Sequence, residues 1–154
     1  MVSGRPDDFF INHRKVYLDT SVFIYFVERH PSYFDLCDRI FKDIEEGRIE
    51  AATSTLTLIE ILVQPYRLNK EELVLKFYSL FTTYPHLKWI QLTPEISDIA
   101  ARLRAEHNLK TPDAVQIASA LSAGATGVIC NDKVFRRVKD IECLILGDLG
   151  TAEK

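Results

Sequence analysis

The stretch TPDAVQIASALSAGATGVICND, residues 111–132, decides the fold class of this chain. Thr111, Pro112 and Asp113 form a start signal for a helix, and Gly124 marks its expected end. The apolar residues 127–130 then predict a short buried strand that leads to Asp132. A helix followed closely by a buried strand is typical of α/β proteins with parallel sheets.

Short strands alternate with helices along the rest of the chain as well. The predicted strands are residues 15–18, 49–53, 89–92, 127–130 and, as a candidate fifth, 143–146. The predicted helices are residues 22–27, 32–46, 54–63 ended by Pro65, one opened by Asn69, 94–107, and the helix that starts at Thr111. Because helices between strands imply parallel pairing, we predict an α/β protein, a three-layer α/β/α sandwich with a central parallel sheet of four to five strands. We expect residues 15–150 to form a single domain and residues 1–14 a loose N-terminal arm.

The composition is that of an ordinary globular protein, with 47% hydrophobic and 27% charged residues among 154. A net charge of -3 gives no bulk-charge argument for nucleic-acid binding, which must rest on a local basic patch. The three cysteines lack metal-type spacing and predict reduced thiols. No signal peptide and no run of roughly 20 apolar residues is recognisable, so we expect a cytoplasmic protein without a membrane span.

Four carboxylates follow or interrupt apolar runs: Asp19, Glu60, Asp113 and Asp132. An ionised carboxylate in apolar surroundings is costly unless it is paired or binds a metal, so four such placements indicate one acidic site. Asp19 and Asp132 follow the first and fourth strands, and ligands of open parallel sheets bind beyond the carboxyl ends of strands. Glu60 is the most informative acid, because it lies inside an apolar helix where no capping role explains it.

Each acid also has a structural explanation that the sequence leaves open. Asp19 and Asp113 are well placed to cap helices or to interact with helix dipoles, and Asp132 to act as a turn residue. Glu60 would need no ligand if its side chain reached solvent at the edge of its helix.

Three segments resemble the PIN-domain nucleases, and especially the VapC-type toxins of prokaryotic toxin-antitoxin pairs. VYLDTSVFIYFVE (residues 16–28) is similar to the opening strand and first acid, and TSTLTLIEILVQPYR (53–67) to the second-acid helix. HNLKTPDAVQIASALSAGATGVICNDKVFRRV (107–138) is similar to the third-acid helix and fourth acid. The resemblance covers residues 16–149 but departs from the family at Cys130, where many members carry threonine or serine.

Crowded carboxylates repel one another unless a hard cation neutralises them, and oxygen-only ligands favour Mg²⁺ or Mn²⁺ over zinc. The resemblance implies that Asp19, Glu60, Asp113 and Asp132 form the catalytic metal-ligand set, with Glu60 acting through water. It implies an Mg²⁺-dependent endoribonuclease in which water attacks in line and leaves a 5′-phosphate. Thr20, Ser21 and Asn131 are candidate supporting groups around the ligands.

Basic side chains near the acids would be needed to attract RNA. The candidates are Lys133, Arg136, Arg137, Arg67 and Lys110, with Lys70, Arg102, Arg104 and Lys139 further along the same predicted edge. An ordinary solvated helix face is the alternative explanation for these charges. The chain also has more aromatic residues than one small core usually takes, so we expect a homodimer surface or a groove for an antitoxin protein.

Two other classes of function stay open. A non-catalytic PIN-derived module would bind RNA or act as a scaffold without cleavage. An aspartate-based phosphotransfer enzyme would also carry acids at strand ends, but LDTSV (residues 18–22) lacks the second aspartate of a DxDx[TV] loop.

Overall fold

Five parallel strands form the centre of the protein in a computed structural model that describes residues 6–150, with side chains described for residues 7–149. The strands are β1 (Lys15–Leu18), β2 (Glu50–Ser54), β3 (Leu87–Ile90), β4 (Gly127–Cys130) and β5 (Glu142–Ile145). The helices are α1 (Pro6–Asn12), α2 (Thr20–Val27), α3 (Phe34–Glu45), α4 (Thr55–Arg67), α5 (Glu71–Thr83), α6 (Pro94–His107), α7 (Thr111–Ser122) and α8 (Leu146–Gly150), with a 3₁₀ turn at Lys133–Arg137. The predicted α/β architecture with a central parallel sheet is thus confirmed.

Helices cover both faces of the sheet because each strand alternates its side chains between two cores. In β1, Val16 and Leu18 belong to one core and Tyr17 belongs to the other. The first core receives side chains of α1 to α5, and the second receives those of α6 and α7. Within residues 6–150, no helix has both the length and the apolar character required to cross a lipid bilayer.

The order of the strands reverses beside β1. The sheet runs β3-β2-β1-β4-β5, so the chain moves outward from β1 to β3 and then returns to place β4 on the other side of β1. The Asp19 N–H donates to the Ile129 carbonyl over 3.0 Å and ties the end of β1 to β4. Such a reversal opens a crevice at the carboxyl ends of the strands, which is where ligands of open α/β sheets bind.

Residues 6–14 differ from the expected loose arm, whereas residues 1–5 lie outside the described part of the chain. Helix α1 buries Phe9, and the His13 ring hydrogen-bonds to Thr126 over 2.8 Å and to Glu142 over 2.5 Å. Gly127 permits this approach, since a Cβ there would lie 2.4 Å from the Phe9 ring. The anchoring contacts come from strands more than a hundred residues away, so the local sequence carries no sign of them.

Pro65 does not end its helix as predicted. Helix α4 continues to Arg67, and Pro65 is buried in its last turn. A proline there removes one N–H donor and crowds the carbonyl four residues earlier, a cost that the burial of its ring against the core helps to offset. Smaller differences are that α3 and α5 begin two residues later than expected, that β3 begins two residues earlier, and that α8 had no sequence signal.

Candidate metal centre

Asp19 is the central acid of the crevice. It occupies the N-cap position of α2 with extended backbone, but its side chain makes no capping hydrogen bond. Burial raises the pKa of Asp19 from its usual 3.8 to about 7, against a hydrogen bond from the Thr20 backbone that lowers it. The charges of Glu60, Asp113 and Asp132 raise this pKa further, so the four carboxylates lie within electrostatic range of one another. The capping explanation therefore does not hold for Asp19.

Asp113 lies in the first turn of α7 and faces the same crevice. Its pKa is raised by partial burial first, and then by the charges of Asp132 and Glu60. Lys110 and Arg137 act in the opposite direction, so both cations are close to the acids. A dipole role at the helix start does not account for the raised pKa, because the dipole favours the charged form.

Glu60 is less buried than its apolar helix suggested. Both Glu60 and the neighbouring Ile59 are exposed, so the alternative that this side chain reaches solvent is partly correct. Its carboxylate is nevertheless held at the crevice by two donors, the Thr20 hydroxyl at 2.5 Å and the Gln116 amide at 3.0 Å. Both donors bind Oε1, and Glu60 is thereby directed toward Asp19.

Gln116 is a functional candidate that the sequence analysis missed. It is buried in α7, one turn after Asp113, and its amide oxygen accepts a hydrogen bond from the Tyr17 hydroxyl. Thr57 also lies 3.4 Å from this amide, so the network joins the sheet and α4 to Glu60. The sequence did contain a sign of this role, since Gln116 is the one amide within the apolar run AVQIASA. A buried amide needs hydrogen-bond partners, so such a residue is a candidate for a polar network.

Asp132 is exposed at the end of β4, and its Oδ1 accepts a hydrogen bond from the Val134 N–H over 2.9 Å. A turn role therefore accounts for one carboxylate oxygen of Asp132. The charge of this carboxylate nevertheless raises the pKa values of Asp19 and Asp113. The Cys130 thiol lies 3.7 Å from the Asp132 carbonyl, in place of the hydroxyl that many members carry.

The three candidate supporting residues have different surroundings. Thr20 donates to Glu60, as an orienting group would. The Ser21 hydroxyl is buried without a hydrogen-bond partner in the described part of the protein. Asn131 is engaged elsewhere, because its amide donates to the Tyr25 hydroxyl over 2.8 Å and accepts from the Gly147 N–H over 2.6 Å.

The candidate RNA-binding cations are not all at the crevice. Lys110 and Arg137 act on Asp113, and exposed Lys133 directly follows Asp132. Arg136 pairs with Asp148 at the surface over 2.6 Å. Arg67 lies two helical turns beyond Glu60, about 10 Å along the axis of α4.

The donor chemistry of this edge fits a hard divalent cation. All four acids offer oxygen, and two have raised pKa values that a cation would lower again. Among the described residues, no three His, Cys, Asp or Glu side chains already form a group that could hold a metal. The Gln116 amide and the Val134 N–H each occupy one carboxylate oxygen at this edge, on Glu60 and Asp132 respectively. A cavity of about 490 Å³ near Lys15, Gly47 and His86, at the opposite edge of the sheet, contains none of these acids.

Comparisons with known proteins agree with this geometry. A family model described as PIN domain matches residues 16–141. Among curated proteins, no match was found. The fold is similar to a DNA-bound VapBC from Salmonella typhimurium, with a TM-score of 0.66 and 19% identity over 86% of this chain and 98% of that chain.

Two further solved structures share this fold. VapBC2 from Rickettsia felis, bound to a DNA fragment from the promoter, has a TM-score of 0.64 and 18% identity, covering 84% of this chain and 96% of that chain. Mycobacterium tuberculosis VapC20, a toxin that cleaves the sarcin-ricin loop, has a TM-score of 0.60 and 14% identity, covering 73% of this chain and 86% of that chain.

Proposed function

This chain belongs to the PIN domain family, and from that membership we propose that it is an Mg²⁺- or Mn²⁺-dependent endoribonuclease, the toxin of a VapBC-type pair. The single observation that carries the proposal is the convergence of four carboxylates on one crevice, where Glu60, Asp113 and Asp132 lie close enough to Asp19 to raise its pKa. Its side chain makes no capping hydrogen bond, so a capping role does not account for a buried carboxyl at this position. Strongly perturbed groups in a crevice are characteristic of functional sites.

Different residues would bind the cation, position Glu60 and attract the RNA. Asp19, Asp113 and Asp132 would hold the cation directly, and Glu60 would be positioned through Thr20 and Gln116. When bound, a divalent cation supplies charge that activates water and offsets the charge developing on the phosphate. Lys110 and Arg137 lie close enough to Asp113 to attract the phosphates of an RNA strand to an otherwise acidic edge.

The proposal includes the partners and the compartment of the protein. RNA is the substrate, an antitoxin protein and a second copy of the chain are the protein partners, and the reduced cysteines suit the cytoplasm. Support for an antitoxin comes from the similar folds in VapBC complexes. The alternative, a PIN-derived RNA-binding module or scaffold without catalysis, makes the opposite prediction about metal binding.

A cleavage assay with a matched variant tests the proposal. Folded and single-stranded RNAs would be incubated with the protein in Mg²⁺, Mn²⁺ or EDTA, beside Asp19→Asn and the control Asp98→Asn. Asp98 is an exposed acid that pairs with Arg102 on α6, outside the crevice. We expect cleavage that needs the cation, is lost in Asp19→Asn and persists in Asp98→Asn.

Cleavage that survives both EDTA and Asp19→Asn would refute the mechanism. Mn²⁺ titration followed by electron paramagnetic resonance separates the alternatives. A scaffold should bind RNA without any Mn²⁺ binding that depends on Asp19.

A further inference from the structure

Two of the three cysteines lie on neighbouring strands with their side chains on the same face of the sheet. Cys130 is the last residue of β4 and lies opposite Ile145 of β5 in the parallel register. Cys143 is two positions before Ile145, so it alternates to the same side of the sheet as Cys130. Both cysteines pack in the second core, which α6 and α7 cover. The proposed hydrolysis uses neither thiol.

A hydrogen bond between the two thiols makes them chemically unequal. It raises the pKa of Cys130 and lowers that of Cys143. Partial burial opposes the shift at Cys143, and the charges of Arg136 and Lys139 reinforce it. Cys143 is only partly buried, whereas Cys130 is completely buried. Because oxidants react with accessible thiolates, Cys143 is the thiol that an oxidant meets first.

Cys130 connects this pair to the acidic crevice. Asp132 is two residues farther along the chain, and the Cys130 thiol lies 3.7 Å from the Asp132 carbonyl oxygen. The charge of Asp19 also acts on the Cys130 thiol, which therefore lies within electrostatic range of the central acid. A covalent change at Cys130 is thus expected to affect both of these acids.

A disulfide between the two cysteines requires the backbone to move. With strands about 4.8 Å apart and a rise of about 3.3 Å per residue, an offset of two positions separates the Cα atoms by about 8 Å. Disulfides need Cα atoms within about 7 Å of each other, so the ends of β4 and β5 must approach by about 1 Å. Strand β5 is at the edge of the sheet and has one neighbour, which leaves it room to shift. Asp132 lies directly beyond β4 and is expected to shift when β4 does.

We propose that Cys130 and Cys143 are an oxidation site, at which hydrogen peroxide forms a reversible disulfide that weakens cation binding at the crevice. The Cys143 thiolate attacks one peroxide oxygen, the O–O bond breaks, and the products are a sulfenic acid and hydroxide, which takes up the proton that Cys143 lost. The Cys130 sulfur then displaces the sulfenic hydroxyl, which leaves as water with the Cys130 proton. In all, the two thiols lose two electrons and two protons, and one peroxide is reduced to two waters. The effect on the crevice rests on the proposed function, whereas the disulfide itself does not.

Peptide mapping tests the disulfide without any assay of activity. The reduced protein would be treated with stoichiometric hydrogen peroxide, alkylated, digested with trypsin in the absence of reductant and analysed by mass spectrometry. Trypsin cuts between Cys130 and Cys143, for example after Lys133, so the two cysteines fall on separate peptides. We expect these peptides to be joined in the unmodified protein and separate in Cys143→Ser, whose substitution lies at a partly exposed position.

The third cysteine provides the matched control. Cys37 is completely buried in the first core, on the other side of the sheet from the pair. Cys37→Ser, or Cys37→Ala if the serine variant fails to fold, should retain the bond between Cys130 and Cys143. Peroxide that leaves all thiols unmodified, that converts Cys143 to a sulfinic acid without a cross-link, or that joins Cys37 to either cysteine overturns the inference.

Mn²⁺ titration followed by electron paramagnetic resonance tests the link to the crevice. After removal of the peroxide, the oxidised protein should bind Mn²⁺ about tenfold more weakly than the reduced protein, a loss typical of a disturbed ligand environment. Dithiothreitol should restore the affinity. Cys143→Ser should bind Mn²⁺ equally well before and after peroxide, which separates the effect of the disulfide from other oxidative damage.

The two measurements fail independently of each other. An unchanged Mn²⁺ affinity in protein that peptide mapping shows to be cross-linked overturns the link between the disulfide and the crevice. Reduced protein that neither binds Mn²⁺ nor cleaves RNA would refute the proposed function alone, because peptide mapping decides the disulfide without a metal.

Discussion

Replacing Asp19 with asparagine should stabilise the metal-free protein at high pH. The pKa of Asp19 rises from its usual 3.8 to about 7 in the folded state. Each unit corresponds to about 1.4 kcal/mol, so ionised Asp19 destabilises the fold by about 4 kcal/mol once the pH exceeds 7. Burial is the main cause, and repulsion from Glu60, Asp113 and Asp132 adds to it.

The sign of this effect follows from which state ionises first. Below about pH 4 both states hold the proton, and Asp19 has no effect on stability. Between pH 4 and 7 the unfolded chain loses the proton while the folded protein retains it, so the folded state loses stability as the pH rises. Asp19→Asn removes this penalty, and its advantage should therefore grow from about zero at pH 4 to about 4 kcal/mol at pH 8.

Urea unfolding in EDTA at pH 4, 6 and 8 measures this advantage, with Asp98→Asn as the control. Saturating Mg²⁺ at pH 8 should stabilise the unmodified protein much more than Asp19→Asn. The cation offsets the negative charge of the Asp19 carboxylate, and the asparagine variant lacks that charge. An Asp19→Asn protein that is no more stable than the unmodified protein at pH 8, or whose advantage is independent of pH, would refute the reasoning.

Three further substitutions follow from the contacts. Gln116→Leu should destabilise the protein by about 1–3 kcal/mol in thermal unfolding, because the buried hydroxyls of Tyr17 and Thr57 lose their partner. The same variant should bind Mn²⁺ more weakly, and an unchanged Mn²⁺ affinity would contradict a positioning role for Gln116. Gly127→Ala should cost about 1–3 kcal/mol in urea unfolding, since its Cβ would meet Phe9, and Phe9→Ala should suppress this cost. Full additivity of the two would show that α1 does not pack there. Cys130→Thr should cost about 1–3 kcal/mol of stability, because a larger side chain with a hydroxyl enters a fully buried site. It should also tighten Mn²⁺ binding beside Asp132, and unchanged or weaker binding would show that the hydroxyl has no role there.

The positions of the strands and most helices could be predicted because their signals are local. The apolar run at residues 127–130, the cap and proline at Thr93 and Pro94, and the acids directly after β1 and β4 each lie within a few residues of the feature they specify. Parallel pairing then followed from the alternation of strands and helices. The two strand-end acids, Asp19 and Asp132, could be placed at one edge on this basis alone.

Features that depend on distant contacts could not be predicted. Helix α1 is held by residues of β4 and β5, and Pro65 is accommodated because the packing around α4 outweighs one missing hydrogen bond. The exposure of Glu60 was misjudged, since a helix with two apolar faces looks buried in its sequence.

The sequence by itself determined the fold class, the family resemblance and the four acids, because periodicity and strand-end placement are properties of short segments. Only the tertiary structure decided what surrounds those acids. The raised pKa of Asp19 and the Gln116 network behind Glu60 both arise where segments far apart in the chain meet. Burial and electrostatic interaction depend on distance in space, and a linear sequence does not contain that distance.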